Sequence, residues 1–338
     1  MAIPKVDARL PNWDQLSEEK WSGLLLGNGF SINIWSKFSY GSLYELATTD
    51  KINFPLNDRA KKLFDGKDTH NFEEVLNTLS NAIAVDRVIS GGQQRRLKIL
   101  RTNIRKALAS AIQYAHIPPN IANLNNISDE LCEYNTVFTT NYDLIPYWAI
   151  MSKNTERFKD YFWVNGNEFD INNTAISGSD VTRILYLHGA LHIIEDVWDH
   201  TRKNTTGKDT LLDQFPKTFK EESWPVFITE GNPNEKLFHI LNSPYLRFAY
   251  EEFKNFDGAI VILGHSLNES FDQHLIDAMN LWKSTNIAFG IRSNLSNTAI
   301  IGVKARIHNA LPGHTIKYFD STTHPLTAKN QNMDQRAH

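Results

Sequence analysis

Seven short apolar runs constrain the fold of this chain more than any other feature. They cover residues 22–28, 135–141 ("NTVFTTN"), 183–189 ("RILYLHG"), 224–231 ("WPVFITEG"), 258–266 ("GAIVILGHS"), 286–292 ("NIAFGIR") and 315–320 ("TIKYFD"). Each is compact and bounded by glycine or polar residues, which reads as a buried strand. Helical patterns separate several of them. Leu237, Ile240 and Leu241 begin one. Ser243 and Pro244 supply a cap and first turn for another, continued by Leu246, Ala249, Tyr250 and Phe253, and a third spans 269–282. Continuous apolar strands alternating with helices need cover on both faces. The expected class is therefore α/β, a Rossmann-like parallel sheet with helices on both faces.

Residues 37–134 break the alternation. Asn71 and Glu74 have capping-box spacing, and Phe72, Val75, Leu76, Leu79 and Ile83 follow at helical intervals. Leu97, Leu100, Ile104, Leu108 and Ile112 mark a second amphipathic helix, ended by Pro118 and Pro119. Arg95, Arg96, Lys98, Arg101, Arg105 and Lys106 decorate it, a solvated face first and a partner or nucleic-acid contact second. The expected organisation is a sheet domain from 20–36 and 135–320 with a helical insertion over 37–134. A mobile loop over 201–220 and a disordered tail over 321–338 complete it.

With 338 residues, 41% hydrophobic and 22% charged, the chain can bury a substantial core. Its formal charge of −3 gives no global basic signal, so nucleic acid is not indicated. Cys132 is the single cysteine. That excludes an intramolecular disulfide or a cysteine-based zinc cluster, and the residue reads as a small apolar side chain. No apolar run approaches the roughly 20 residues that span a bilayer. The N-terminus lacks a signal-peptide pattern. The expectation is a soluble cytoplasmic protein with no membrane partner.

In parallel α/β sheets ligands lie outside the C-terminal strand ends. There the sequence delivers Gly27-Asn28-Gly29-Phe30-Ser31, Thr140-Asn141-Tyr142-Asp143, His188-Gly189 and Gly264-His265-Ser266-Leu267. Each alone is ordinary. Glycine pairs make tight turns, Ser31 and Asp143 suit helix caps, and a histidine after a strand is often structural. Ile32 stands where a dinucleotide fingerprint would have its third glycine, and Asp50 follows no clear strand. Arriving in one order on one sheet, the four segments point to a single pocket.

That order resembles the Sir2 superfamily, whose pattern is Gly-Ala-Gly-x-Ser, Thr-Gln-Asn-x-Asp, His-Gly and Gly-Thr-Ser-Leu. The resemblance covers residues 20–36 and 135–320. The cysteine-held zinc module of sirtuins is missing, which points away from protein deacylation, and the helical block has no counterpart in a minimal sirtuin. In both respects the chain is similar to bacterial Sir2-like NADase domains of anti-phage defence systems. The resemblance implies NAD as substrate and no metal. It implies Gly27, Asn28, Gly29, Phe30, Ser31, Thr140, Gly264, His265 and Ser266 around the dinucleotide, with Asn294 at the adenosine ribose. Asn141, His188 and Asp143 would perform the chemistry. A homo-oligomer and a ring-forming ATPase partner are further implications.

These residue types suit that reaction. Nicotinamide leaves NAD neutral, so no pair of carboxylates is needed to protonate it. The site must hold the diphosphate, orient the ribose and place a water. Asn141 carries both donor and acceptor. His188, with an ordinary histidine pKa of about 6.5, suits a general base. Asp143 would hold the carboxamide or steady the ribose. His188 and His192 are four apart, but they lie in an apparent strand region and lack the helical His-Glu-x-x-His pattern of a zinc pair. Glu230 is an additional strand-end carboxylate. The expected activity is NAD hydrolysis in antiviral defence. The alternatives are a non-catalytic NAD or ADP-ribose sensor, and an NAD-dependent protein deacylase or ADP-ribosyltransferase.

Overall fold

The computed structural model describes residues 7–327, apart from 90, 118–122, 154, 164–166, 177–179, 197–199, 205–223, 229–232 and 284. Strand β1 (Gly23–Leu26) runs at once into α1 (Asn28–Ile34). Helices α2 (Tyr40–Ala47), α3 (Asp58–Lys67), α4 (Phe72–Ile89), α5 (Gln94–Ala115) and α6 (Leu124–Leu131) form the helical block. The chain returns through β2 (Thr136–Thr139), α7 (Ile145–Ser152), β3 (Phe158–Lys159) and β4 (Thr182–Tyr186). Then come β5 (Gly189–Glu195), β6 (Thr201–Lys203), β7 (Trp224–Phe227), α8 (Pro233–Asn242) and α9 (Pro244–Lys254). Strand β8 (Ile260–Leu263), α10 (Glu269–Met279), β9 (Asn286–Ile291), α11 (Asn297–Ala310) and β10 (Thr315–Asp320) complete the order.

Seven strands form one sheet in the order β10-β9-β8-β1-β2-β4-β3, every pair parallel. The class is α/β and Rossmann-like, as the apolar runs require. From central β1 the chain moves to β2 on one side and later to β8 on the other, which makes a switch point at its C-terminal end.

The run at 224–231 does not join this sheet. Strand β7 pairs antiparallel with β5, which also carries β6, in a separate three-stranded sheet. The reason lies at β4. Strand β5 begins directly after Leu187 and His188, and a parallel return needs a crossover of about a dozen residues. The chain therefore leaves the sheet and starts a second one.

In the block, Phe72, Val75, Leu76, Leu79, Ile83, Ile104, Leu108 and Ile112 are buried as their spacing requires. Asn71 Oδ1 accepts from the Glu73 and Glu74 amides, but Glu74 does not reach back. Its carboxylate takes Thr69 Oγ1 and Lys67 Nζ instead. Helix α5 ends at Ala115, and Pro118 and Pro119 lie outside the described residues. His116 keys the block to the sheet: its Nε2 accepts from Leu144 N at 2.9 Å, and its ring meets Trp148 edge-on. Cys132 is free and buried. Among the described residues no helix is long and apolar enough to cross a membrane.

Residues 321–327 correct the expected disorder. Two 3-10 turns, Ser321–Thr323 and Pro325–Thr327, fold back onto the protein. His324 is buried against Trp13, with ring centroids 4.6 Å apart, and lies 3.0 Å from the Tyr134 hydroxyl. Aromatic burial outweighs the polar composition of this stretch. Residues 328–338 lie outside the described range. So do 205–220 of the expected loop, whose start forms β6.

Glu130 stands 3.9 Å from His324. Burial, with Glu133 nearby, pushes Glu130 up to about 7, while burial pushes His324 down to about 3. The imidazole is therefore neutral where Glu130 titrates. A carboxyl raised on folding contributes stability that is complete below its ordinary value and lost as pH rises through the folded value. For Glu130 that window runs from about 4.5 to about 7. Glu130→Gln is expected to be more stable than the parent above this window and equal to it below, read by chemical unfolding across pH.

Candidate functional site

Parallel pairing in level register delivers the site. Leu26 of β1 pairs with Thr139 of β2 and Leu263 of β8, and Thr139 pairs with Tyr186 of β4. The residues that follow leave the sheet at one height. Gly27 N donates to Leu263 O at 3.0 Å, Thr140 N to Leu26 O at 3.0 Å, and Leu187 N to Thr139 O at 2.8 Å.

The first and last of these loops touch. Helix α1 starts at Asn28 with Gly27 as its N-cap, so Ser31 is inside the helix rather than capping it. Gly29 N donates to Gly264 O at 2.8 Å. Gly264 has φ +68°, and a Cβ there would lie 2.2 Å from Phe30 N. These glycines serve close approach of two loops, and the Gly29 N–H is spent within the protein. Arg306 of α11 braces the last loop by donating to the carbonyls of Ser266 and Leu267. Phe30, expected near the dinucleotide, is fully buried in the core.

Ser31 joins the first loop to the second. Its hydroxyl donates to Asp143 Oδ2 at 2.5 Å and accepts from Asn141 Nδ2 at 2.9 Å. Asp143 Oδ1 accepts from Ile145 N at 2.8 Å, so both its oxygens are engaged at the start of α7. Burial raises the Asp143 carboxyl above its ordinary range, opposed by the Ser31 and backbone hydrogen bonds. Asn141 Oδ1 is buried without a hydrogen-bond partner among the described residues. The geometry gives Asp143 a positioning part and leaves Asn141 with an unpaired acceptor.

His188 is 2% exposed, and its Nε2 lies 3.0 Å from His274 Nε2 on α10. Burial, then the neighbouring His274, Lys236 and His265, hold its imidazole well below the usual histidine range. It is a weaker base than its residue type suggests. Lys236 of α8 is 0% exposed and pairs with Glu73 Oε2 of α4 at 3.3 Å, while Tyr40 donates its hydroxyl to Glu73 Oε1. None of His274, Lys236, Glu73 or Tyr40 follows a strand, so reading strand ends misses them. The one local signal was the Asn71 cap, which fixes where α4 begins.

A cavity of about 370 Å³ occupies the strand ends. Asn28, Gly29, Thr140, Asn141, Asp143, His188, Gly264, His265 and Ser266 all line it. The helical block supplies an opposite wall, including Tyr40, Glu73 and Leu108. A second cavity of about 240 Å³ shares Gly29, Gly264, His265 and Ser266 with the first. The two lobes differ in charge. Glu73, Asp143 and Asp272 line the larger one, with no lysine or arginine among its described lining. Arg292 and Arg306 line the smaller, with no carboxylate among its described lining. Asn294 is exposed and lines neither, and Glu230 lies outside the described residues. His192 is buried on β5, stacked on Tyr147. Among the described residues no group of three or more His, Cys, Asp or Glu is placed to hold a metal.

Fold and site together define an α/β protein with two adjoining, ligand-sized cavities at the switch point of its sheet. The chain belongs to a family described as a domain of unknown function, DUF4917, whose model matches residues 24–326. No curated protein matches it at a significant level.

Gly264→Ala is expected to cost at least about 2 kcal/mol, since it adds a left-handed alanine and a backbone clash. Thermal and urea unfolding against the parent check it.

Proposed function

We propose that this protein hydrolyses NAD at the nicotinamide–ribose bond. The charge division of the pocket carries this reading. A dinucleotide with a cationic ring at one end and a diphosphate toward the other matches a carboxylate-lined cavity that shares lining residues with an arginine-lined one. In this reading the diphosphate crosses at Gly29 and Gly264, and the nicotinamide ribose lies beside Asn141 and His188. The ordered motifs that resemble the Sir2 superfamily support the same substrate.

The reaction balances without a proton donor. The C1′–N bond breaks with its electron pair going to neutral nicotinamide. A water oxygen bonds to C1′, and one water proton passes to solvent. Asn141 Oδ1 accepts a hydrogen bond from that water and turns its lone pair toward the carbon. Ser31 and Asp143 keep the amide from rotating. An oxocarbenium-like centre gains most from oriented dipoles and nearby carboxylates.

The test is nicotinamide release by the purified protein. Asn141→Ala is expected to lower kcat by about 10²-fold or more with an unchanged melting temperature. Ser31→Ala frees the amide and lowers kcat by about tenfold with little change in KM. NAD is expected to bind about tenfold tighter than its reduced, uncharged-ring form, measured calorimetrically on Asn141→Ala. Asn141→Ala turning over at the parent rate would overturn the assignment, and NAD bound but returned intact by the parent would make the protein a sensor.

A further inference from the structure

His188 gives one of its two ring nitrogens to another histidine. The Nε2 atoms of His188 and His274 are 3.0 Å apart, with the rings tilted by 30°. Both residues are 2% exposed. A ring nitrogen has one in-plane lobe, so a pocket occupant reaches His188 only through Nδ1. What Nδ1 offers depends on which histidine donates in the pair.

Neither ring carries a second proton. Burial dominates at both, and Lys236 from α8 and His265 from the β8–α10 loop act in the same direction. Asp272 of α10 opposes this at His274, whose pKa still falls to about 3, and Glu73 of α4 offsets Lys236 from the far side. Two neutral imidazoles therefore share one proton between facing nitrogens. If His188 donated it, His274 would keep its own proton on Nδ1. That atom is buried and has no hydrogen-bond partner among the described residues. An orphaned buried N–H is among the rarest features of folded proteins, and an unfilled acceptor is better tolerated. The favoured arrangement has His274 donating from Nε2, its bare Nδ1 facing the interior, and the His188 proton on Nδ1.

We propose that His274 is a positioning residue that fixes His188 in the Nδ1–H tautomer, so that His188 meets the pocket occupant as a hydrogen-bond donor and not as a base. The inference rests on the NAD reading only for the identity of the occupant. The donor would then grip an oxygen of the nicotinamide ribose, opposite the acceptor of Asn141. Helix α10 is interrupted at Asp272, with φ −122° and ψ 17°, two residues before His274.

Nitrogen-15 histidine NMR on the full chain reads the tautomers directly, with or without activity. Signals are assigned with His188→Gln and His274→Phe. The parent is expected to show a protonated Nδ1 on His188 and an unprotonated Nδ1 on His274. His274→Phe keeps a ring in place and removes the donor. It is expected to move the His188 proton toward Nε2 and to lower kcat for nicotinamide release by about tenfold at similar KM. The parent measurement stands even if this variant fails to fold. An unprotonated Nδ1 on His188 in the parent overturns the proposal, as does a folded His274→Phe with an unaltered His188 tautomer. A parent that releases no nicotinamide yet shows Nδ1–H on His188 supports this proposal while overturning the NAD reading.

Discussion

The hydroxyl of Ser31 has one proton, and the direction of that proton orders the rest of the site. It goes to Asp143, at a distance suited to a charge-assisted bond. Ser31 is left with lone pairs alone for Asn141, so the amide must present its nitrogen there and turn Oδ1 away. The shape of an amide does not distinguish its two ends, but this chemistry does. Ser31 sits in α1, and both its partners sit between β2 and α7. They meet because β1 and β2 pair in parallel with level ends, and because Gly29 and Gly264 let α1 begin close to the sheet. Sheet register and acceptor orientation are one constraint at two scales.

The helical block is part of this site. Glu73 at the start of α4 lines the same cavity as Asn141 and His188, and its carboxylate meets Lys236 of α8 in the interior. A buried ion pair is weak evidence for stability, because desolvation offsets much of the attraction. Its consequence here is specificity of placement. If the block shifted, a buried ammonium would lose its carboxylate, so the wall of the pocket and the sheet keep one arrangement. Tyr40 adds a hydrogen bond to the same carboxylate from within the block.

The strand ends were legible in sequence because their signals are local. An apolar run closing on Gly27, Asn141, His188 or Gly264 states both the end of a strand and the group it delivers. Helices α4 and α5 were legible from spacing for the same reason. Physical context decided the rest. Nothing near residue 274 marks it as the partner of His188, since 86 residues separate them and only packing brings them together. Lys236 reads as a surface residue of an amphipathic helix until Glu73 arrives from α4. The second sheet was missed because an apolar run does not state its pairing partner. The stretch after Asp320 was misread because its composition is polar, while the few residues that decide its fate, His324 and Leu326, are buried.

The environment also revises what the histidine contributes. An exposed His188 would be half protonated near neutral pH and a fair base. Enclosed with His274 and near Lys236, it is neutral and a poor one. A reaction that needed a strong base at this position would be badly served. Departure of a neutral leaving group from a cation asks for something else: a held substrate, a placed water and a field that favours positive charge at the carbon. Glu73, Asp143 and Asp272 surround the larger lobe, and Lys236 offsets Glu73 alone. Asp143 adds no free carboxylate to the lobe, because its two oxygens are tied to Ser31 and Ile145. The hydrogen bonds that hold the Asp143 carboxyl also orient Asn141, so the placement of that group and of the acceptor is set by the same few atoms.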